Sequence, residues 1–474
     1  MHQLKSMKIT FHGAARTVTG SKHLLELEDG RKILLDCGMF QGHGADTDPL
    51  NRHLGFDPKE LSHVILSHAH IDHSGLLPLL AKEGYEGNIY CTPATRDLCA
   101  IMLADTAHIQ EYDSVYINRK RKQNGLPGVK PIYRMEHVEA VMQQFCTVPY
   151  EKTYKVDDGL ELRFTDSGHI LGSAAVNLII REKDKVTRLC FTGDIGRPDD
   201  LLLRTPSPFP QPDVLICEST YGNRKHEDRE ISQKRLLEIV LETCIQRSGK
   251  LVIPAFSLGR TQELVYALNN LHNAGLLPPI PVYVDSPLSV NATVIMRAHM
   301  ECFNNELRKL LQNDPDPFGF DQLHYIQRAE DSMKLNEMKE PMIILSASGM
   351  AEAGRIKHHI RNTIESAQNT ILLVGYCTPD SLGGRLGAGA KEVRIFGKPY
   401  SVNARVEQLN AYSAHADYEE MLQYLSCIES RKVKHTFLVH GDYDVQHDWR
   451  QKLEAAGFGN IEIPDMHSSW EIPA

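Results

Sequence analysis

The chain has 474 residues, 42% apolar and 24% charged, an ordinary globular composition that excludes fibrous and disordered classes and suits two or three domains. A net charge of −9 opposes indiscriminate coating of nucleic acid and leaves room for a local basic groove. No apolar run approaches the ~20 residues of a membrane helix, and MHQLKSMKITFHG lacks the apolar core of a secretory signal, so the cytoplasm is the expected location.

The first 200 residues read as short strands: MKITFHG, KHLLELE, RKILLDCG, HVILSHAH, NIYCTP, LELRFTDSG, AAVNLII and RLCFTGD. They are rich in β-branched residues and end in Gly, Asp or His. The longest helical pattern runs from Ala94 to Asp113, and Arg119–Lys122 reads as a basic loop ended by Asn124-Gly125. Five prolines between Arg197 and Asp213 suit a connector. Strand–turn–helix units then repeat. VLICEST leads to a helix from Asp228 to Arg247, KLVIPAF to a helix from Arg260, PVYVDSP to a helix near Val290–Leu311, and PMIILSASGM to Ala351–Ile364. Such alternation predicts a parallel sheet flanked by helices. The Gly-rich SLGGRLGAGAKEVRIFGKP is a second boundary, after which strands and helices mix again.

Ten cysteines without a C-x-x-C pair read as reduced, buried thiols, so the metal-binding signal rests on the 23 histidines. Ser67-His68-Ala69-His70-Ile71-Asp72-His73 directly follows the strand HVIL. In an extended chain His68 and His70 face the same way. Asp72 and His73, where the chain turns into a helix, approach from another side. Imidazoles and a carboxylate suit zinc, and four donors in two directions suit two ions better than one. Asp36, His169, Asp194 and His440 each close a strand-like run. Singly each is an ordinary turn residue; together they describe one rim at strand ends.

These residues carry a resemblance. Asp36, His68-Ala69-His70-Ile71-Asp72-His73, His169 and Asp194 match in order the metal motifs of the metallo-β-lactamase fold. Glu218-Ser219-Thr220-Tyr221-Gly222, Ser413-Ala414-His415-Ala416-Asp417 and Leu438-Val439-His440-Gly441 resemble motifs A, B and C of the β-CASP nucleases. Members with histidine in motif C act on RNA, and His440 stands there. The resemblance implies an α/β fold, an αββα sandwich with an inserted β-CASP lid. The expected division is 1–205 and 391–474 for the sandwich and 206–390 for the insert. It implies two Zn2+ per chain: His68, His70 and His169 on one, Asp72, His73 and His440 on the other, Asp194 bridging, and Asp36 orienting a ligand or the nucleophile. Metal-activated hydroxide would hydrolyse single-stranded RNA to 3′-hydroxyl and 5′-phosphate ends, as an endonuclease or also a 5′-exonuclease. His415 would be the general acid, held protonated by Glu218, with Asp417 in support.

Ser257 and Arg260, at a strand-to-helix turn, and Ser348 and Gly349, at a strand end of the lid, are candidate phosphate contacts. His12, His23 and His43 are expected in structural or solvent roles, and His358-His359 are not counted as ligands. The competing readings are a small-molecule metallo-hydrolase of lactonase or thioesterase type and a non-catalytic RNA-processing scaffold. The first lacks an inserted lid and the Glu218/His415 pair; the second is disfavoured by seven intact ligands. No membrane partner is expected. A homodimer and RNA-processing partners are left open.

Overall fold

The computed structural model describes residues 6–183, 185–226, 229–312, 314, 316–375, 377–409 and 413–472, with backbone only at 229–232. By internal contacts the chain forms two units, Met1–Lys225 with His415–Ala474, and His226–Ala414. These divisions fall later than the proline-rich and glycine-rich boundaries expected at 206 and 390. The proline-rich segment joins two neighbouring strands of one sheet, Lys185–Phe191 and Val214–Glu218, and so lies inside the first unit.

The first unit holds two seven-stranded sheets. One runs, in spatial order, Ser469–Ile472, Met7–Gly13, Lys22–Glu26, Lys32–Leu35, His63–Ile65, Asn88–Cys91, Phe145–Thr147; the other runs Ile461–Glu462, His435–Val439, Val214–Glu218, Lys185–Phe191, Ala174–Glu182, Leu160–Asp166, Tyr154–Asp157. Alternate residues of both sheets meet in one core, with Ile9, Phe11, Ile33, Leu35 and Ile65 from the first and Phe164, Val176, Leu178, Phe191 and Phe437 from the second. The residues between them, such as Leu34 and Val64, are buried on the opposite face, as period-2 side chains require in a sheet covered on both sides. Behind the second sheet, Cys190, Leu215, Cys217 and Leu438 pack on Met421, Leu425, Trp449 and Leu453 of the helices Tyr418–Leu425 and Tyr443–Ala455.

The second unit is built on a six-stranded sheet of parallel pairs, in spatial order Leu323–Tyr325, Val282–Val284, Met342–Ser346, Lys250–Pro254, Thr370–Leu373, Arg405–Gln408. Its central strands are continuous apolar runs such as Ile343-Ile344-Leu345, the pattern of strands buried on both faces.

Three helices differ from expectation. The long one spans Pro93–Gln123, so Arg119–Lys122 form its last turns and not a loop. Four cations there favour the helix's negative end, and Gly125, at φ +67°, turns the chain away after Asn124. The helix expected over Val290–Leu311 is broken. Pro287–Ala298 ends at His299, and Asn304 caps a separate helix, Asn305–Leu310, by accepting from Leu307 N–H. The helix expected over Ala351–Ile364 begins later, at Ile356. The expected start at Asp228 lies outside the described residues; the helix is described over Arg229–Val240. Among the described residues no helix is long and apolar enough to cross a membrane.

Candidate metal centre

The polar rim of the first unit is assembled by strand direction. Leu160–Asp166, Lys185–Phe191, Val214–Glu218 and His435–Val439 all run the same way. His169, Asp194, Glu218 and His440 therefore emerge at one edge. Glu218 sits in register with Val439 although the whole second unit intervenes in sequence. In the other sheet, Lys32–Leu35 and His63–Ile65 are parallel, which brings Asp36 and His68 out together. Ala174 N–H donates to Ser67 O at 3.0 Å and ties the two sheets at this edge. Asp36 and His440 both hold positive φ, +57° and +54°, a conformation uncommon outside glycine.

Two sets of donors converge. In the first, His68 Nε2 and His169 Nε2 each lie 3.2 Å from His70 Nδ1, and they lie 3.5 and 3.4 Å from Asp194 Oδ2. In the second, His440 Nε2 lies 3.3 Å from His73 Nε2 and 3.4 Å from Asp72 Oδ2, and His73 Nε2 lies 3.4 Å from Asp194 Oδ1. A tetrahedral ion with ligands at about 2.0–2.1 Å has ligand–ligand edges of about 3.3–3.4 Å. The first set and the trio Asp72, His73 and His440 match that edge length; Asp194 Oδ1 reaches the trio at 3.4 Å from His73 Nε2, while its approach to His440, at 3.5 Å, is to Nδ1. Burial holds His68 and His70 below the ordinary imidazole range, His70 at about 4, so both rings are neutral at pH 7. Asp194 Oδ1 is buried and receives no hydrogen bond. In the first set the neutral His68 and His70 nitrogens gather beside Asp194 Oδ2, and in the second burial is outweighed by Asp194 and Asp36, which raise His73, whose Nε2 lies beside the unbonded Asp194 Oδ1; donors crowded without internal bonds are what a cation relieves. The residues fit a metal.

Three of the rings, His73, His68 and His440, are also held from behind. Asp36, fully buried, accepts from His73 Nδ1–H at 2.6 Å, from Ser67 Oγ at 2.9 Å and N–H at 2.8 Å, and from Ser21 Oγ at 3.2 Å. Ser67 Oγ in turn faces His68 Nδ1 at 3.0 Å. Thr220 Oγ1 donates to His440 O and faces His440 Nδ1 at 2.9 Å, so it accepts that ring's N–H and directs Nε2 inward. Ser67, Ser21 and Thr220 went unassigned in the sequence, although Ser67 opens the histidine motif and Thr220 lies inside Glu218–Gly222. Lys22 was missed too. Its buried ammonium donates to Gly20 O and Gly38 O at 2.9 and 2.8 Å. It thereby joins the two segments that bond the backbone of Asp72 and His73, through Ser21 N–H to Asp72 O and Cys37 N–H to His73 O. Burial lowers Lys22 to about 8.

His415 stands beside the donor sets. Its Nδ1 is 3.3 Å from Glu218 Oε1 and 4.0 Å from Asp194 Oδ2, and its ring lies 4.5 Å from that of His169, centroid to centroid. A bridge to Gly196 and a bond from Ala416 N–H to Ile195 O fix its backbone. Burial alone would depress the imidazolium; Glu218, Asp194 and Asp72 together outweigh it, and the pKa is pushed up to about 9. Glu218 is itself held by N–H donors from Ile195 and Thr220. Asp417 caps the helix Tyr418–Leu425 by accepting from Glu419 and Glu420 N–H.

The remaining candidates lie in the second unit. Ser257 Oγ is 3.3 Å from Ser286 Oγ, and Arg260 is buried and ion-paired with Glu263. Ser348 Oγ accepts from Ala353 N–H at 3.3 Å. Gly349 passes so close to Phe256 that a Cβ there would lie 2.7 Å from the ring. His359 is spent on Asp285 at 2.6 Å and belongs to neither donor set.

Comparison with known proteins places this geometry. Residues 20–138 match the metallo-beta-lactamase superfamily, 261–386 the Beta-Casp domain, and 399–464 the Zn-dependent metallo-hydrolase RNA specificity domain. The chain is 35% identical over 436 residues to "Ribonuclease TTHA0252" of Thermus thermophilus, covering 92% of this chain and 93% of that one. It is 30% identical over 437 residues to an "RNase J-like protein" of Methanocaldococcus jannaschii, covering 92% of each. It is 33% identical to "Transcription termination factor FttA" of Methanosarcina mazei, over 96% of this chain and 71% of that one. A solved protein of unknown function from Enterococcus faecalis shares the fold at a TM-score of 0.55 and 14% identity, over 98% of this chain and all of that one.

Proposed function

This chain belongs to the metallo-β-lactamase-fold ribonucleases that carry a β-CASP domain, a metal-dependent family, and from that premise we propose that it hydrolyses RNA phosphodiester bonds with two zinc ions per chain. The observation that carries the reading is Asp194. One carboxylate presents Oδ2 to His68 and His169 of the first set at 3.5 and 3.4 Å and Oδ1 to His73 Nε2 of the second at 3.4 Å, so it touches both. The relatives named ribonucleases support the substrate class.

Ions held by these two sets would supply an acidified water and stabilise negative charge on a phosphoryl group. The rest of the chemistry belongs to side chains. Asp36 keeps His73 in one tautomer, and through Ser67 it fixes His68. Glu218 engages His415 Nδ1 and leaves Nε2 to deliver a proton to the departing 3′ oxygen. Attack at phosphorus with loss of that oxygen gives 3′-hydroxyl and 5′-phosphate ends. Ser257, Arg260, Ser348 and Gly349 are proposed phosphate contacts, supported by their place on turns that follow parallel strands.

The test is metal-loaded protein on RNA labelled at the 5′ or the 3′ end, beside single-stranded DNA of the same sequence. Internal RNA fragments with 5′-phosphate ends are expected, and mononucleotides from the 5′ label would add exonuclease action. Equal turnover of the DNA, or lactone hydrolysis without action on RNA, overturns the assignment.

A further inference from the structure

The long helix Pro93–Gln123 is packed into the first unit through its residues up to Ala107, and beyond that point it is covered on one side only. The returning segment bonds Asn118 in both directions at Val129, receives Arg121 Nε–H at Pro127 O, and gives Ile132 N–H to Gln110 Oε1. Away from that side, Ile109, Tyr112, Val115 and Tyr116 are 50, 76, 56 and 54% exposed. At about 100° per residue they form one stripe. Contiguous apolar patches of this kind on a folded chain mark contact surfaces, and aliphatic residues beside tyrosines are the composition of a protein interface core.

The charges name the occupant. The half of the helix before the stripe's midpoint carries Asp105, Glu111 and Asp113, and the half after it carries Arg119, Lys120, Arg121 and Lys122. Among the described residues, none of Glu111, Asp113, Arg119 or Lys122 forms an ion pair within the chain, and Lys120 lies over the Tyr116 ring at 4.5 Å. Glu111 and Lys122 share one flank of the stripe, about 20° apart, and Asp113 and Lys120 share the other, also about 20° apart. A two-fold axis near Val115–Tyr116 sets two such helices antiparallel. It brings each acidic flank against the basic residue of the same flank in the partner, and Tyr112 against Arg119. A self-complementary patch is the signature of an isologous contact. We infer that this stripe is a dimer interface between two copies of the chain.

Sedimentation velocity of the metal-loaded full chain, from roughly 1 to 100 µM, tests it over the range where interfaces of modest size dissociate. A monomer–dimer equilibrium is expected. Tyr112→Ser with Tyr116→Ser should raise the dissociation constant at least about tenfold. These side chains are exposed, so the fold should stand. Lys120→Glu with Lys122→Glu should also weaken the dimer, and adding Glu111→Lys with Asp113→Lys should restore it. A wild type that stays monomeric, or a dimer indifferent to the tyrosine pair, overturns the inference. So does loss of RNA affinity in the tyrosine variant with no change in mass, which would assign the face to RNA.

Discussion

Two buried histidine–aspartate clusters in this chain use the same residue types to opposite ends. In the second unit, Asp285 Oδ2 accepts from Ser332 Oγ and His359 Nε2–H, Oδ1 accepts from Arg355, and His359 Nδ1 meets Asn336 Oδ1 at 3.0 Å. Both carboxylate oxygens and both ring nitrogens there have partners, and the cluster is closed. In the first unit, imidazole nitrogens face one another and Asp194 Oδ1 has no donor. Burial alone does not mark a metal site; donors left over after internal bonding do.

The hardest test of that contrast is Asp194→Ala. It should lose metal from both donor sets and lower the cleavage rate by at least about 10³-fold, since the charge that both sets share disappears. Elemental analysis showing full occupancy would erase the distinction between the clusters. Next is His415→Ala, which should keep its metal and lose roughly 10²–10⁴-fold in rate, the worth of a positioned proton donor. A sulfur-substituted 3′ leaving atom needs little protonation, so that substrate should recover most of the loss. Equal damage on both substrates would make His415 a positioning group.

Asp285→Ala should do the reverse of Asp194→Ala. Metal content should be unchanged. The variant should be about 3–5 kcal/mol less stable in chemical denaturation, because Arg355 loses its buried counter-charge and Ser332 and His359 lose their acceptor. Burial would raise the Asp285 carboxyl, but His359, Ser332 and Arg355 outweigh it and lower its pKa. That stability is present above the unfolded carboxyl value of about 4 and is lost as pH falls through the folded value. Wild type and Asp285→Asn should therefore converge in acid. Smallest are the outer supports of the metal set. Ser67→Ala and Thr220→Val should each weaken metal binding about 10–100-fold in chelator competition. No change in either would mean that the rings are held by packing alone.

Strand ends and apolar runs were legible in the sequence because period-2 burial writes itself into residue order. The donors of His68–His73 were legible because they lie within one turn of each other, and the resemblance carried Asp36, His169, Asp194 and His440 to the same site. Local pattern could not place Arg119–Lys122, whose helix continues through stabilisation of its last turns, nor the break at His299, which depends on a cap one turn later. It was silent on Ser67, Thr220 and Lys22, common residue types that acquire meaning only from the atom they face. Sequence by itself determined which side chains could hold a metal. Tertiary structure alone decided that Glu218 and His440, on strands some 220 residues apart, stand side by side. It also decided that Asp285 and His359 close on each other, since hydrogen-bond completeness is a property of three-dimensional neighbours and leaves no mark on spacing along the chain.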